Sequence, residues 1–162
     1  MSARSRFGRP PAVALGALLL LVAAAAVVPA MAQEDWRLPG LSGGALTAGD
    51  VSSGTTIVVL WAGWSPRCQD VVERSNRLVG KWGGRARVVL VDFQEEAGEV
   101  KTFLAGKDPQ APVYLDGDGA FAKRYALANL PGLLVLRDGA VLYAGRLPDQ
   151  PDGLIDDKLA QR

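Results

Sequence analysis

Histidine is absent from this 162-residue chain, and cysteine occurs once, as Cys68. The first absence removes Ser-His-Asp triads, Cys-His dyads and every imidazole-ligated metal site. The second removes an intramolecular disulfide and any chemistry that cycles two thiols within one chain. An excess of one charge is missing too: 18 basic residues face 17 acidic ones, with no basic stripe for nucleic acid. The two aspartates of DGDG, 116–119, are too few for a calcium loop and read as a turn. Neither a metal nor a cofactor is expected.

One long hydrophobic run is present, AVALGALLLLVAAAAVV at 12–28. Arg4, Arg6 and Arg9 precede it, and Pro29, Ala30 and Ala32 follow in an A-x-A cleavage pattern. This is the layout of a secretory signal peptide over residues 1–32. No cysteine follows for lipid attachment, and Ser5 separates Arg4 from Arg6, so there is no twin arginine. The expected location is the periplasm or the exterior. The rival is an uncleaved inner-membrane anchor facing the periplasm, because 17 apolar residues approach the shortest span. Membrane contact is expected only in that case. Residues 33–162 then form one domain. They hold 15 of the basic and all 17 acidic residues, a formal charge of −2. An oxidising compartment permits disulfides, so a lone thiol there is buried and inert, free and reactive, or bonded to another molecule.

Residues 33–54 show no firm period, although Leu38, Leu41 and Leu46 can tuck onto a core. TTIVVLW, 55–61, reads as a central strand covered on both faces. A helix is predicted over Pro66–Lys81, with Ser65 as N-cap and Pro66 in the first turn. Its inner face holds Val71, Val72, Ser75, Leu78, Val79 and Trp82, with Arg67, Asp70, Glu73, Arg74 and Arg77 largely outside it. A second strand follows at 87–93 and a shorter helix at 95–106. The β-α-β-α order implies parallel pairing. PVYLD at 112–116, a brief helix at 121–127, and strands at 133–137 and 140–145 complete the sheet. Asp138-Gly139 is the hairpin turn between the last two. A final helix is predicted over Asp152–Leu159. The expected class is α/β, a central mixed sheet with helices on both faces.

WAGWSPRC, 61–68, and YALANLPGLLVLRDGAVLYAG, 125–145, carry a resemblance. Both resemble the thioredoxin-like superfamily, and within it the exported TlpA/ResA-like thiol-disulfide oxidoreductases. That family ends its central strand in a WATWCPPC-like segment and has a YxVxxVPxxxLIDxDGxIxxxxxG segment later. Trp61, Ala62, Trp64, Pro66 and Cys68 match the first pattern; Ser65 stands at the attacking-cysteine position. The resemblance implies a thioredoxin-like fold over residues 36–160 and makes Pro131 a cis-proline facing the site. It also implies a partner groove of Trp64, Pro66, Leu130 and Gly132. Gly132 occupies a position where the family usually has a side chain. The implied partners are protein or peptide thiols and disulfides, with an external thiol reductant if Cys68 acts alone.

Serine cannot attack a disulfide at neutral pH without a base, so the ordinary two-thiol cycle is closed to this chain. Three readings of Cys68 remain: a buried small hydrophobe, a monothiol reagent favoured as thiolate by the helix N-terminus, or a peroxidatic cysteine. The last reading resembles the PxxxTxxC spacing of peroxiredoxins, with Ser65 as the hydroxyl residue. Trp61 stands where their proline would be, and an arginine, Arg137 or Arg146, would have to reach the thiol. The first reading leaves a redox-inactive binding module that supports redox or cytochrome-maturation systems.

Overall fold

The structure, a computed structural model, describes residues 35–161. The expected signal segment, 1–32, lies outside the described residues. The described chain opens with two short antiparallel strands, β1 (Arg37–Pro39) and β2 (Ala45–Thr47), which bury Leu38 and Leu46. The sequence shows no period here because three-residue strands are too short to display one.

The main sheet contains β3 (Thr55–Trp61), β4 (Arg87–Phe93), β5 (Val113–Asp116), β6 (Gly132–Arg137) and β7 (Ala140–Arg146). Its order is β5-β4-β3-β6-β7. β3 pairs parallel with β4, and β4 with β5; β6 runs antiparallel to both β3 and β7. The apolar runs in β3, β4 and β6 follow from cover on both faces. Ile57, Val59 and Trp61 pack with Leu78, Trp82, Leu90 and Ile155 on one side. That layer is built by α1 (Val71–Trp82), α2 (Ala97–Leu104) and α4 (Asp152–Ala160). Val58 and Leu60 face the other way, onto Leu134, Leu136 and Phe121 of α3 (Ala120–Arg124), with Leu38 and Leu46 beside them. Each such fully buried aliphatic side chain contributes about 1.5–3 kcal/mol.

The β6–β7 turn forms at Asp138-Gly139, both with positive φ (49° and 77°), as a tight hairpin requires. The Asp138 carboxylate also accepts from the Gly54 amide at 2.7 Å, which ties the turn to the start of β3.

Three helix expectations need correction. The helix predicted over Pro66–Lys81 is divided: Pro66–Cys68 is a 3₁₀ turn, and α1 begins only at Val71. Asp70, at φ −98° and ψ 11°, interrupts the helical path between them. The Gln69 amide donates back to the Gly63 and Ser65 carbonyls and holds the turn against its own loop. The helix predicted over 121–127 ends at Arg124: Ala126 adopts φ 51°, and the Leu127 amide donates to the Ala122 carbonyl at 2.9 Å. That is a left-handed helix closure made without glycine. The helix predicted over 95–106 is trimmed to Ala97–Leu104 by a capping box between Glu96 and Glu99. In the DGDG turn, Asp116 is buried and accepts from the Phe121 and Ala122 amides at 3.0 and 2.9 Å, so it anchors α3.

Arg74 departs from its expected outward position. It is 9% exposed and donates to the carbonyls of Leu147 and Pro148 at 3.1 and 2.8 Å, with Asp70 and Asp149 nearby. Helical periodicity placed it largely outside the inner face. The two free carbonyls after β7, beyond the reach of local pattern, draw it in.

Candidate functional site

Strand register assembles the site. β3 and β6 are antiparallel, and Leu60 pairs with Gly132. The loop that leaves β3, 61–68, therefore meets the residues that enter β6. The Leu130–Pro131 peptide bond is cis. Pro131 is buried, and its carbonyl accepts from the Leu147 amide at 3.0 Å. Leu130 is half-buried and packs on both core layers. Pro66 is exposed, and Trp64 stands out at 61% exposure.

Gly132 has a packing reason to be glycine. A Cβ there would lie 2.9 Å from the Asn129 carbonyl oxygen and 3.3 Å from Leu60 Cβ. The missing side chain admits the loop backbone before β6.

Ser65 has the extended backbone of a cap (φ −81°, ψ 120°), but its side chain makes no capping hydrogen bond. Its amide donates to Ala62 and its carbonyl accepts from Cys68, at 3.1 and 3.0 Å. Its side chain is buried with the thiol turn. The side-chain N-cap expected from the sequence is therefore absent.

Cys68 has no exposed surface and belongs to the core layer with Trp61, Val71 and Val72. Burial pushes its thiol above the ordinary value. The Ala62 amide, the Ser65 hydroxyl and the Arg74 charge act in the opposite direction without overcoming it. The expected thiolate-favouring helix terminus is displaced, since α1 starts three residues later at Val71. Arg137 does not serve the thiol either. It lies at the far end of β6 from Pro131 and donates to the Leu159 and Gln161 carbonyls at the end of α4.

Two charged residues near the loop, Asp92 and Glu95, escaped the sequence reading, and Arg74 was placed outside the core. Asp92 pairs in register with Trp61 and is fully buried. Both its oxygens and Trp61 Nε1 lack a hydrogen-bond partner in ordinary geometry. Glu95 accepts from the Gly63 amide. A signal for Asp92 existed, because strand alternation puts it on the face of Val88 and Leu90, where a carboxylate is out of place. Burial, then the Glu95 carboxyl, raises the Asp92 pKa to about 8. The folded state thus holds a proton that the unfolded chain, at 3.8, releases. The Asp92 contribution is fully present below the unfolded value and is lost as pH rises toward 8. Urea denaturation at about pH 5 and about pH 9 should show wild type losing stability across that window, and Asp92→Asn losing less.

The thiol turn, the buried cis-proline and the central mixed sheet now define a recognisable frame. The Redoxin family model matches residues 24–159. This chain belongs to the Redoxin family. Solved structures agree on the fold. A putative thiol:disulfide interchange protein DsbE from Chlorobium tepidum is 22% identical, with a TM-score of 0.66 over 78% of this chain and 91% of the other. The pneumococcal exposed lipoprotein thioredoxin Etrx1, from Streptococcus pneumoniae, is 19% identical, with a TM-score of 0.66 over 78% and 98%. A secreted Mycobacterium tuberculosis disulfide oxidoreductase, homologous to E. coli DsbE, is 18% identical, with a TM-score of 0.62 over 77% and 95%. A comparison with curated protein sequences finds no match. At these identities the likeness establishes a thioredoxin-like fold. This Redoxin has its single described thiol under the loop and a serine at the position above it.

Proposed function

We propose that this Redoxin is an exported protein that has lost two-electron thiol-disulfide exchange and keeps the partner-docking face of its fold. The observation that carries this reading is the pair Ser65 and Cys68: oxygen stands at the attacking position, and the one sulfur has no exposed surface. Disulfide exchange needs a thiolate that attacks one sulfur and expels the other, then a second thiol that releases the mixed disulfide. Ser65 can do neither, and Cys68 is both covered and held protonated.

What the site offers is a rim. Trp64 and Pro66 are exposed on the loop after β3, and half-buried Leu130 precedes β6, the strand that pairs with β3; these residues are the proposed docking surface. An exposed tryptophan suits an extended protein segment, since a large rigid ring gains contact area at low entropic cost. Export is supported by the signal-like N-terminus, and by the secreted or surface-exposed character of two similar structures. The partners are proteins of an extracytoplasmic thiol-disulfide system, and residues 33–162 act as one domain.

Reduction of insulin by a small dithiol tests the loss of chemistry. Wild type and Cys68→Ser should both match the uncatalysed rate. A rate above background that disappears in Cys68→Ser would overturn the proposal and restore a monothiol mechanism.

A further inference from the structure

We infer that Asp92 and Glu95 form a one-proton latch that positions the Gly63–Trp64 rim: while one proton is shared between the two carboxyls, Glu95 holds the Gly63 amide, and loss of that proton frees the rim. The latch does not depend on any reaction of Cys68.

Four observations converge. Asp92, one residue before the end of β4, pairs in register with Trp61, two residues before the Gly63 amide that Glu95 holds. It is wholly buried, no donor satisfies either of its oxygens, and the Glu95 carboxyl is the strongest influence on it after burial itself. Glu95 uses one oxygen to accept the Gly63 N–H. Its other oxygen lies 3.0 Å from where a Cβ on Gly63 would stand, with Phe103 at 3.1 Å on a second side. A side chain at position 63 would press on both the carboxylate and the ring, and the Glu95–Gly63 hydrogen bond ties down the backbone next to Trp64.

The surroundings leave the pair little alternative to sharing a proton. From α2, Glu99 adds negative potential, and Glu96 lines the same hollow. From β3 come the Trp61 indole and apolar neighbours. From β5, Leu115 sits beside Asp92, and Asp116 is engaged by the amides of α3. Lys107 lies 3.5 Å from the Phe103 ring centroid. No cation among the described residues forms a salt bridge with Asp92. Two carboxylates in such a site cannot both ionise without separating.

Glu95 is the member able to leave, because it is half-buried at the edge of a hollow of about 560 Å³ lined by Gly63, Trp64, Thr102 and Phe103. With the proton in place, Asp92 donates to Glu95, and Glu95 accepts from Gly63. Without it, repulsion drives Glu95 outward, the Gly63 amide loses its acceptor, and Trp64 loses its anchor. The rim is therefore closed at neutral pH and opens in alkali.

Carbon-detected NMR of the labelled full chain can follow the Gly63 ¹⁵N shift between about pH 6 and about pH 10 without losing the amide to exchange. Wild type should show one titration step at Gly63, mirrored at the Trp64 indole. Asp92→Asn should abolish it. Glu95→Gln, at a half-buried site, keeps an acceptor for Gly63 but cannot repel Asp92, so it should also remove the step. A flat Gly63 shift in wild type, or a step that persists in either variant, would overturn the latch.

Discussion

Ser65→Cys should convert the chain into a disulfide reductase. Residues 65 and 68 span one tight turn, closed by the Cys68 amide on the Ser65 carbonyl at 3.0 Å. The ends of such a turn lie within about 7 Å, which overlaps the separation a disulfide needs. Ser65 and Cys68 are both buried in that turn, so a sulfur at position 65 stands within one turn of its partner. The new thiol would attack the substrate disulfide, and Cys68 would then attack the mixed disulfide from beneath and release reduced substrate. Burial of Cys68 does not obstruct that second step, because the target sulfur is one turn away. Intact mass should show the loss of two hydrogens on oxidation. Insulin turnover should rise at least roughly tenfold over wild type, since the variant supplies both thiols of the exchange. A variant that folds but neither closes the bond nor turns over would show that the turn no longer has redox geometry.

Gly132→Thr is expected to weaken the fold at the opposite wall of the site. The added Cβ would meet the Asn129 carbonyl oxygen at 2.9 Å, which belongs to backbone and cannot swing away as a side chain would. Leu60 Cβ blocks a second direction at 3.3 Å. Overpacking of this kind costs about 1–3 kcal/mol. In a domain of this size that lowers the melting temperature by roughly 3–15 °C. Thermal denaturation measures it, with Gly153→Ala as control. Gly153 lies in α4 with open space around its Cβ position, so alanine there should be neutral or stabilising.

The legibility of this chain in its sequence depended on the range of the interactions involved. Strands β3, β4 and β6 were readable because cover on both faces demands an unbroken apolar run, and the run is local. The β6–β7 hairpin was readable because Asp138-Gly139 is a local conformational requirement. The break between Cys68 and Val71 was not. It depends on Gln69 reaching back to the Gly63 and Ser65 carbonyls, a fold-back that periodicity does not record. Arg74 was misplaced for a similar reason, since its carbonyl partners follow β7. At the site, residue identities were visible and their states were not. The replacement of sulfur by oxygen at position 65 could be read directly. The burial of Cys68 and Ser65 and the reason for glycine at 132 depend on how β3 meets β6. Asp92 was passed over because a single acid at the end of an apolar run resembles a strand terminus.

Alkylation of Cys68 in the folded wild-type protein, read by intact mass across the neutral to mildly alkaline range, is the most direct measurement. Burial and the raised thiol pKa lead to one result: no adduct on the native chain, and one full equivalent after denaturation. Rapid stoichiometric labelling of the native chain at neutral pH would mean an open, acidic thiol, and would contradict the proposal that this Redoxin is redox-silent.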